Sequence, residues 1–264
     1  MKFQFTTAFY LGLFLIFTTF ITELPAQQLT VMTYNIHHGR NEMNEVDLPA
    51  IAEVIKSSGA ELIGLQEVDS VCRRSGNVDQ MKVLGDLTGM HYNFQKHYDF
   101  DGGSYGLGIL SKYPIENVKN YSLTYSLNDI NSDNRILMVA DIQLGKSRTI
   151  HFATVHFDHR EDPGIRSLQS AETFNFLKNL KNPVILTGDL NAEPEKPEIR
   201  DVIENFADTD DTGAFTFPSD KPNKKIDYIL ISKPHLKKVV KHEVIDEPVA
   251  SDHRPVIATV VLKK

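Results

Sequence analysis

The sequence predicts an α/β domain in which mixed β-sheets pack face to face with helices outside. Three observations predict it. Strand-like segments recur along the chain, at 29–34, 62–65, 106–110, 136–142, 149–156, 184–187, 226–231 and 255–262. Several are unbroken apolar runs, as expected of strands covered on both faces. Only two long helical patterns lie between them, too few to alternate with every strand in a doubly wound sheet. Facing sheets flanked by helices suit that balance better.

The elements follow in order. Lys2 precedes an apolar run over 8–20, and Glu23, Pro25 and Ala26 close it with polar and small residues. This is the layout of a secretory signal peptide spanning 1–26, and it predicts export to the periplasm or the cell exterior. Leu24, at position −3 of that cleavage, is larger than the usual alanine. The competing reading is an uncleaved anchor. Residues 3–22 carry no charge, and about 20 apolar residues span a bilayer. Five threonines and a glutamine dilute that stretch, which favours cleavage. From 27 to 264 no linker, repeat or low-complexity tract breaks the chain, so one domain is expected. Losing Lys2 and Glu23 leaves its charge at −7, and no membrane span remains. Leu48, Ile51, Ala52 and Ile55 share one helix face. Ile165, Leu168, Ala171, Phe174 and Leu177 form a longer one, starting at Gly164 after Pro163.

Composition narrows the function classes. The chain has 264 residues, 41% hydrophobic and 24% charged, which excludes a disordered tail, a collagen-like fibre and a multi-span membrane protein. Cys72 is its single cysteine, so an internal disulfide and a cysteine-built zinc cluster are excluded. With a net charge of −7 and no long basic run, holding nucleic acid by phosphate neutralisation is disfavoured.

The polar residues at the strand ends are the informative feature. Asn35 follows the first strand, Gln66 and Glu67 the second, and His156 ends ATVHFDH. Asp189 and Asn191 stand in LTGDLNAEP, Asp227 opens IDYILIS, and Ser251, Asp252 and His253 precede the last strand. Each alone has a plain reading. Asn35 suits a turn, GDLN is good turn sequence, Glu67 suits a strand end, Asp227 can pair with Lys224 or Lys225, and Asp252–His253 suits an orienting pair. All of these holding together is improbable. If the ends converge, they form an acidic pocket with two histidines. Hard oxygen donors of that kind suit Mg²⁺, Mn²⁺ or Ca²⁺ rather than zinc. The residues alone therefore point to a metal-assisted hydrolase.

The ordered set TYNI, QEVD, GLGILSKYPI, ATVHFDH, TGDLNAEP, IDYILIS and SDHRPV resembles the endonuclease/exonuclease/phosphatase superfamily over about 31–261. The resemblance implies a deoxyribonuclease-like four-layer α/β sandwich, two packed mixed β-sheets flanked by helices. It implies hydrolysis of a phosphate ester by a metal-activated water. Glu67 resembles the main metal ligand with Asn35 beside it, and Asp189 the residue that orients or deprotonates the water. Asn191 resembles the amide that holds the phosphate, and His253 the essential histidine on it. Asp227 or Asp252 resembles the histidine's carboxylate partner and second-metal ligand. His156 occupies the place of the second histidine.

The sequence also departs from the superfamily pattern. Where many relatives carry an acid two positions after the first-motif asparagine, His37 stands, followed by His38. In VCRRSGNVDQ, Arg73, Arg74 and Gln80 follow Glu67, where a guanidinium can clamp a phosphate or simply face water. No long basic or aromatic insertion for gripping DNA is evident, nor an apolar hairpin for entering a membrane. The expectation is an exported, monomeric, Mg²⁺-dependent phosphodiesterase or phosphatase. An endonuclease on DNA or RNA and a sphingomyelinase-like phospholipid phosphodiesterase are the alternatives, and a non-catalytic binding module of the same fold comes last.

Overall fold

The computed structural model describes residues 28–145 and 148–263. The expected signal segment lies outside them. β1 (Gln28–Asn35) leads through α1 (Leu48–Ser58) to β2 (Leu62–Ser70), which lies parallel to it. α2 (Gln80–Thr88), β3 (His91–Phe100), β4 (Gly103–Ser111) and β5 (Ile115–Leu123) follow. A short hairpin, β6 (Ser126–Leu127) and β7 (Ile130–Asn131), precedes β8 (Arg135–Gly145) and β9 (Arg148–His156). α3 (Gly164–Leu177) crosses over to β10 (Val184–Asp189), parallel to β9. α4 (Arg200–Asn205), β11 (Phe206–Asp208), β12 (Asp227–Ser232), β13 (Leu236–Val244) and β14 (Val256–Leu262) complete the order.

The strands form two mixed sheets of six, ordered β13-β14-β1-β2-β4-β3 and β11-β12-β10-β9-β8-β5. Each has one parallel pair at its centre, bridged by the helical crossover that such a pair requires. α1 starts where Asp47 accepts a hydrogen bond from the Ala50 amide and stops at Gly59, whose φ of 71° is open to glycine.

Apolar alternation builds the layers. On β1, Leu29 and Val31 face the second sheet and meet Phe152, Ile185 and Ile229. Met32 and Tyr34 face the other way, onto Ile51 and Ile55 of α1 and Met81 and Leu84 of α2. Val155, Leu186 and Leu230 of the second sheet cover Leu177 of α3 and Val202 of α4. Helices, sheet, sheet and helices make the expected four-layer sandwich. The sheets approach closely at Gly64 of β2, where a Cβ would stand 2.1 Å from Thr187 Oγ1 and 2.9 Å from Thr154 Oγ1. Beside it, Gln66 Nε2 donates to Thr154 Oγ1 at 2.9 Å, and Thr33 Oγ1 donates to Gln66 Oε1. This polar layer floors the strand ends.

The structure adds what the apolar pattern did not signal. β3, β5, β11 and β13 are the four sheet edges, and α2 and α4 are short. β3, β5 and β13 alternate weakly and carry lysine, since an edge faces water on one side and is blunted by charge. α3 forms where expected but is rotated. Leu168 is 38% exposed, while Arg166, Gln169, Ser170 and Thr173 are buried. Polar anchoring explains this. Gln169 Oε1 accepts from the Asp158 amide at 2.8 Å, and Arg166 donates to the carbonyls of Asp158 and Arg160 and to Glu198. The helix thus holds the segment that follows His156.

Candidate active site

The carboxyl ends of the two parallel pairs meet at one rim, the usual ligand-binding place of such sheets. β1 ends at Asn35, β9 at His156 and β10 at Asp189, with Asp189 opposite His156 and Asp227 in register. Asn35 joins the two sheets. Its Nδ2 donates to Asp189 Oδ2 at 3.1 Å and Glu67 Oε1 at 3.2 Å, and lies 3.5 Å from His253 Nε2. Its Oδ1 accepts from the His37 amide. Asn35 was expected as a metal ligand, yet it presents nitrogen, not oxygen, to the cleft. In this arrangement it positions carboxylates.

The loop before β14 brings in the imidazole. Ser251 Oγ donates to the Asn35 carbonyl at 2.7 Å, which fixes the loop on β1. His253 Nδ1 lies 2.9 Å from Asp227 Oδ2, a carboxylate oxygen that also accepts from Thr216 Oγ1. The carboxylate can only accept, so Nδ1 carries a proton and Nε2 turns to the cleft. His253 Nε2 is 3.7 Å and His156 Nε2 3.6 Å from Asp189 Oδ2. Arg135 Nη1 stands 3.2 Å from His156 Nδ1. A guanidinium only donates, so Nδ1 accepts and Nε2 of the neutral ring bears the proton facing Asp189. Asn191 donates its amide N–H to Asp189 Oδ1 at 2.9 Å and its Nδ2 to the Phe157 carbonyl.

Burial and charge set the protonation states. Burial and the nearby Asp227 carboxylate push Asp189 up to about 7. Burial opposes a charge on His253, but Asp227 and Asp189 outweigh it and raise the ring to about 10. Burial, reinforced by Arg135, pushes His156 well below its ordinary value. Burial would raise Glu67, yet its contacts with His38 and Asn35 and the charges of His156 and His253 hold it well below the usual carboxylate range. Burial raises Asp252.

Backbone strain clusters here. Glu67 has φ 56° and sits where the β2–β4 register slips between Leu65 and Val68, a bulge that re-aims a side chain. Asn191 has φ 50°, His37 45° and His38 44°. A cleft of about 280 Å³ results, lined by Glu67, His156, Asp189, Asn191, Asp252 and His253.

The structure brings together every expected site residue except two. Arg73 Nε pairs with Asp101 Oδ1 at 3.0 Å on the surface, and Arg74 grips Asp69 through two hydrogen bonds of 2.8 Å. Their guanidiniums are committed to that loop and do not line the cleft. Arg135 supplies a guanidinium instead, and Tyr105, Asp133, His159 and Phe217 also line the cleft. A cation at the head of an apolar run, in NRILMVAD, was the available signal for Arg135. Gln80 serves structure, accepting from the Asp69 amide and donating to the His38 carbonyl. His38 Nδ1 lies 3.7 Å from Glu67 Oε2, and His37 Nδ1 3.9 Å from Asp252 Oδ1. Cys72 is buried, with Sγ against the Phe100 and Ser104 carbonyls, and burial pushes its thiol up to about 11, which leaves it inert.

Among the described residues, Asp189, Asp227 and His253 form one buried cluster with metal-ligand spacing. The short Asp227–His253 bond occupies one of its nitrogen donors, so this cluster is first a hydrogen-bonded relay.

Known proteins resemble this chain in sequence and fold. The Escherichia coli protein YbhP is 24% identical over 247 residues, covering 88% of this chain and 96% of its own. A Staphylococcus aureus phospholipase C is 25% identical over 190 residues, 58% of this chain and 57% of its own. The solved structure of a Bacteroides thetaiotaomicron mannosyl-6-phosphatase superposes with a TM-score of 0.69 at 19% identity, covering 88% of this chain and 99% of that one. Residues 32–253, which run from β1 to the histidine of the loop before β14, match the endonuclease/exonuclease/phosphatase family as a unit. The sandwich, the converging strand ends and this match agree, and the chain belongs to the endonuclease/exonuclease/phosphatase family.

Proposed function

We propose that the protein is an exported, metal-dependent hydrolase of phosphate esters, acting as a phosphatase or phosphodiesterase through an activated water. The family consists of phosphoester hydrolases. The observation that carries the reading is the single amide nitrogen of Asn35, which donates to both Glu67 and Asp189 and lies 3.5 Å from His253 Nε2, so that groups from separate elements meet at one point.

The donors suit a divalent cation. Glu67, Asp189, Asp227 and Asp252 crowd one rim, against which, among the described residues, Arg135 and the raised His253 supply positive charge. Asp227 Oδ1 and His38 Nδ1 are buried without a hydrogen-bond partner. An excess of hard oxygen donors favours Mg²⁺ or Mn²⁺, with Glu67 and Asp252 as the holding residues. When bound, such an ion polarises the phosphoryl oxygen and offsets the charge that develops there. Asp189 takes the water's proton at Oδ2, and a carboxylate raised toward neutrality is matched to that task. His253 Nε2–H, His156 Nε2–H and Arg135 donate toward the phosphate oxygens, with Asn191 holding Asp189 in line.

Nucleic acid is the less favoured substrate, because the net charge is −7. The test is a panel of p-nitrophenyl phosphate, bis-(p-nitrophenyl) phosphate, sphingomyelin and plasmid DNA with Mg²⁺, Mn²⁺ and Ca²⁺. Hydrolysis that disappears with chelator is expected. Full activity in excess chelator overturns the metal-dependent reading.

A further inference from the structure

His97 is buried and is not among the residues that line the cleft. It sits on β3, the edge strand of its sheet. Lys96 pairs with Gly106 and Tyr98 with Tyr105, so His97 is the extra residue of a β-bulge. A bulge re-aims a side chain. Here the ring reaches the other sheet, where the Ile136 amide of β8 donates to His97 Nδ1 at 3.0 Å. Burial, reinforced by Arg135, pushes the ring well below its ordinary value and keeps it neutral. Nδ1 accepts, so the proton of that neutral ring is on Nε2. Nε2 is itself buried and has no hydrogen-bond partner.

An imidazole with one buried nitrogen unsatisfied is a costly occupant of such a position. A leucine would fill the space without orphaning a donor. What the imidazole supplies, and a leucine cannot, is the acceptor for Ile136. Ile136 follows Arg135 at the head of β8. Arg135 lines the cleft, and its Nη1 stands 3.2 Å from His156 Nδ1, the contact that leaves the His156 proton on Nε2. Tyr105, which pairs with Tyr98 beside the bulge, also touches both ends of this path. Its ring centre lies 5.9 Å from that of His97 and 5.9 Å from Arg135 Cζ.

We propose that His97 is a positioning residue of the site: by holding the Ile136 amide it fixes the head of β8, so that Arg135 reaches His156 and sets its tautomer. The chain of contacts crosses from the edge of one sheet to the cleft wall of the other. For its kinetic consequence alone the proposal rests on the phosphoester-hydrolase reading.

The experiment has two arms on the full chain, with three variants. His97→Leu removes the acceptor. His97→Asn restores one, because its Oδ1 takes the place of Nδ1. Gln95→Ala removes a different contact of β3 with the second sheet, the one to Asn120 Nδ2 on β5. In the first arm, nitrogen-15 NMR of metal-free protein reads which nitrogen of His156 carries the proton, with His156→Gln identifying its signal. The Nε2–H form is expected in the wild type, His97→Asn and Gln95→Ala, and a mixture of tautomers in His97→Leu. An unchanged His156 signal in folded His97→Leu overturns the proposal. In the second arm, kcat and KM are measured for p-nitrophenyl phosphate and its bis ester in Mg²⁺. In His97→Leu kcat should fall roughly tenfold to a hundredfold, the range for a misplaced group, with KM little changed. His97→Asn and Gln95→Ala should stay close to wild type. Wild-type kcat in His97→Leu, or an equal loss in His97→Asn, overturns the proposal. If His97→Leu does not fold, His97→Phe keeps a ring without the acceptor and carries both arms. Failure of both to fold overturns it as well, since the bond then serves the fold rather than the site. A tautomer that follows residue 97 in a chain that hydrolyses no ester refutes the hydrolase reading and leaves the positioning role standing.

Discussion

Asp189 is held where its ionised form is disfavoured, and that has a cost in stability. Its folded value is raised above the unfolded one of about 3.9, so the folded state holds a proton that the unfolded chain releases. Its contribution to stability is therefore full below about pH 4 and is lost as pH rises through about 7. Asp189→Asn in metal-free protein should raise the Tm at pH 8 by on the order of 5 °C, a gain that shrinks toward pH 4, while kcat collapses. Calorimetry across that range checks it, and an equal Tm gain at both ends refutes the assignment of the shift. His253 behaves differently. Its ring lines the cleft yet is buried, and it packs on Phe217 with the ring centres 4.7 Å apart. Its loss would leave Asp227 buried with only Thr216 as donor. His253→Ala should therefore lose stability as well as activity. His253→Gln keeps a donor and is the cleaner probe. It should lower kcat about 10²–10³-fold with a Tm change of a few degrees, and near-normal turnover in a folded variant removes His253 from the mechanism.

At the scale of elements, the site is made by irregularities in otherwise regular strands. β2 runs as a plain central strand to Leu65, then bulges, and the bulge turns Glu67 into the cleft at a φ of 56°. Three residues before Glu67, Gly64 lets β2 lie against β9 and β10. Gly64→Val should force the sheets apart, because its contacts are Thr187 and Thr154 side chains locked between strands. Overpacking of that kind costs about 1–3 kcal/mol, or roughly 2–10 °C in a domain of this size. It should also lower kcat more than it changes KM, since the Asn35–Asp189 contact spans the same gap. Thermal unfolding with steady-state kinetics tests both, and a variant with wild-type Tm and kcat removes the close approach from the account. The strand interiors were legible because burial on both faces demands unbroken apolar runs. The edges, β3, β5, β11 and β13, were not, because one-sided burial leaves room for lysine and asparagine. The α3 face was misplaced for a related reason: Arg166 and Gln169 are buried by their hydrogen bonds to the 158–160 segment, which no apolar periodicity reports.

For the molecule as a whole, metal binding and export each make a measurable prediction. Adding Mg²⁺ to chelator-treated protein should raise the Tm, because an ion that binds only the folded state stabilises it by mass action. Glu67→Gln should abolish most of that rise, and an equal rise in the variant would take Glu67 out of the ion site. Export predicts a native N-terminus near Gln27 by mass spectrometry, and an intact Met1 in cytosolic protein refutes it. By itself the sequence determined the sandwich class and eight of the residues around the cleft: Asn35, Glu67, His156, Asp189, Asn191, Asp227, Asp252 and His253. It did so because a polar residue that interrupts a buried strand at its end is costly unless something there needs it. Only the tertiary structure decided which way each side chain faces. It turned the Asn35 oxygen onto the His37 amide, tied Arg74 to Asp69, and brought Arg135 against His156 from the head of β8. Those outcomes depend on partners distant in sequence. The local pattern records burial, whereas the pairing of a guanidinium or an amide is fixed only when the two sheets meet.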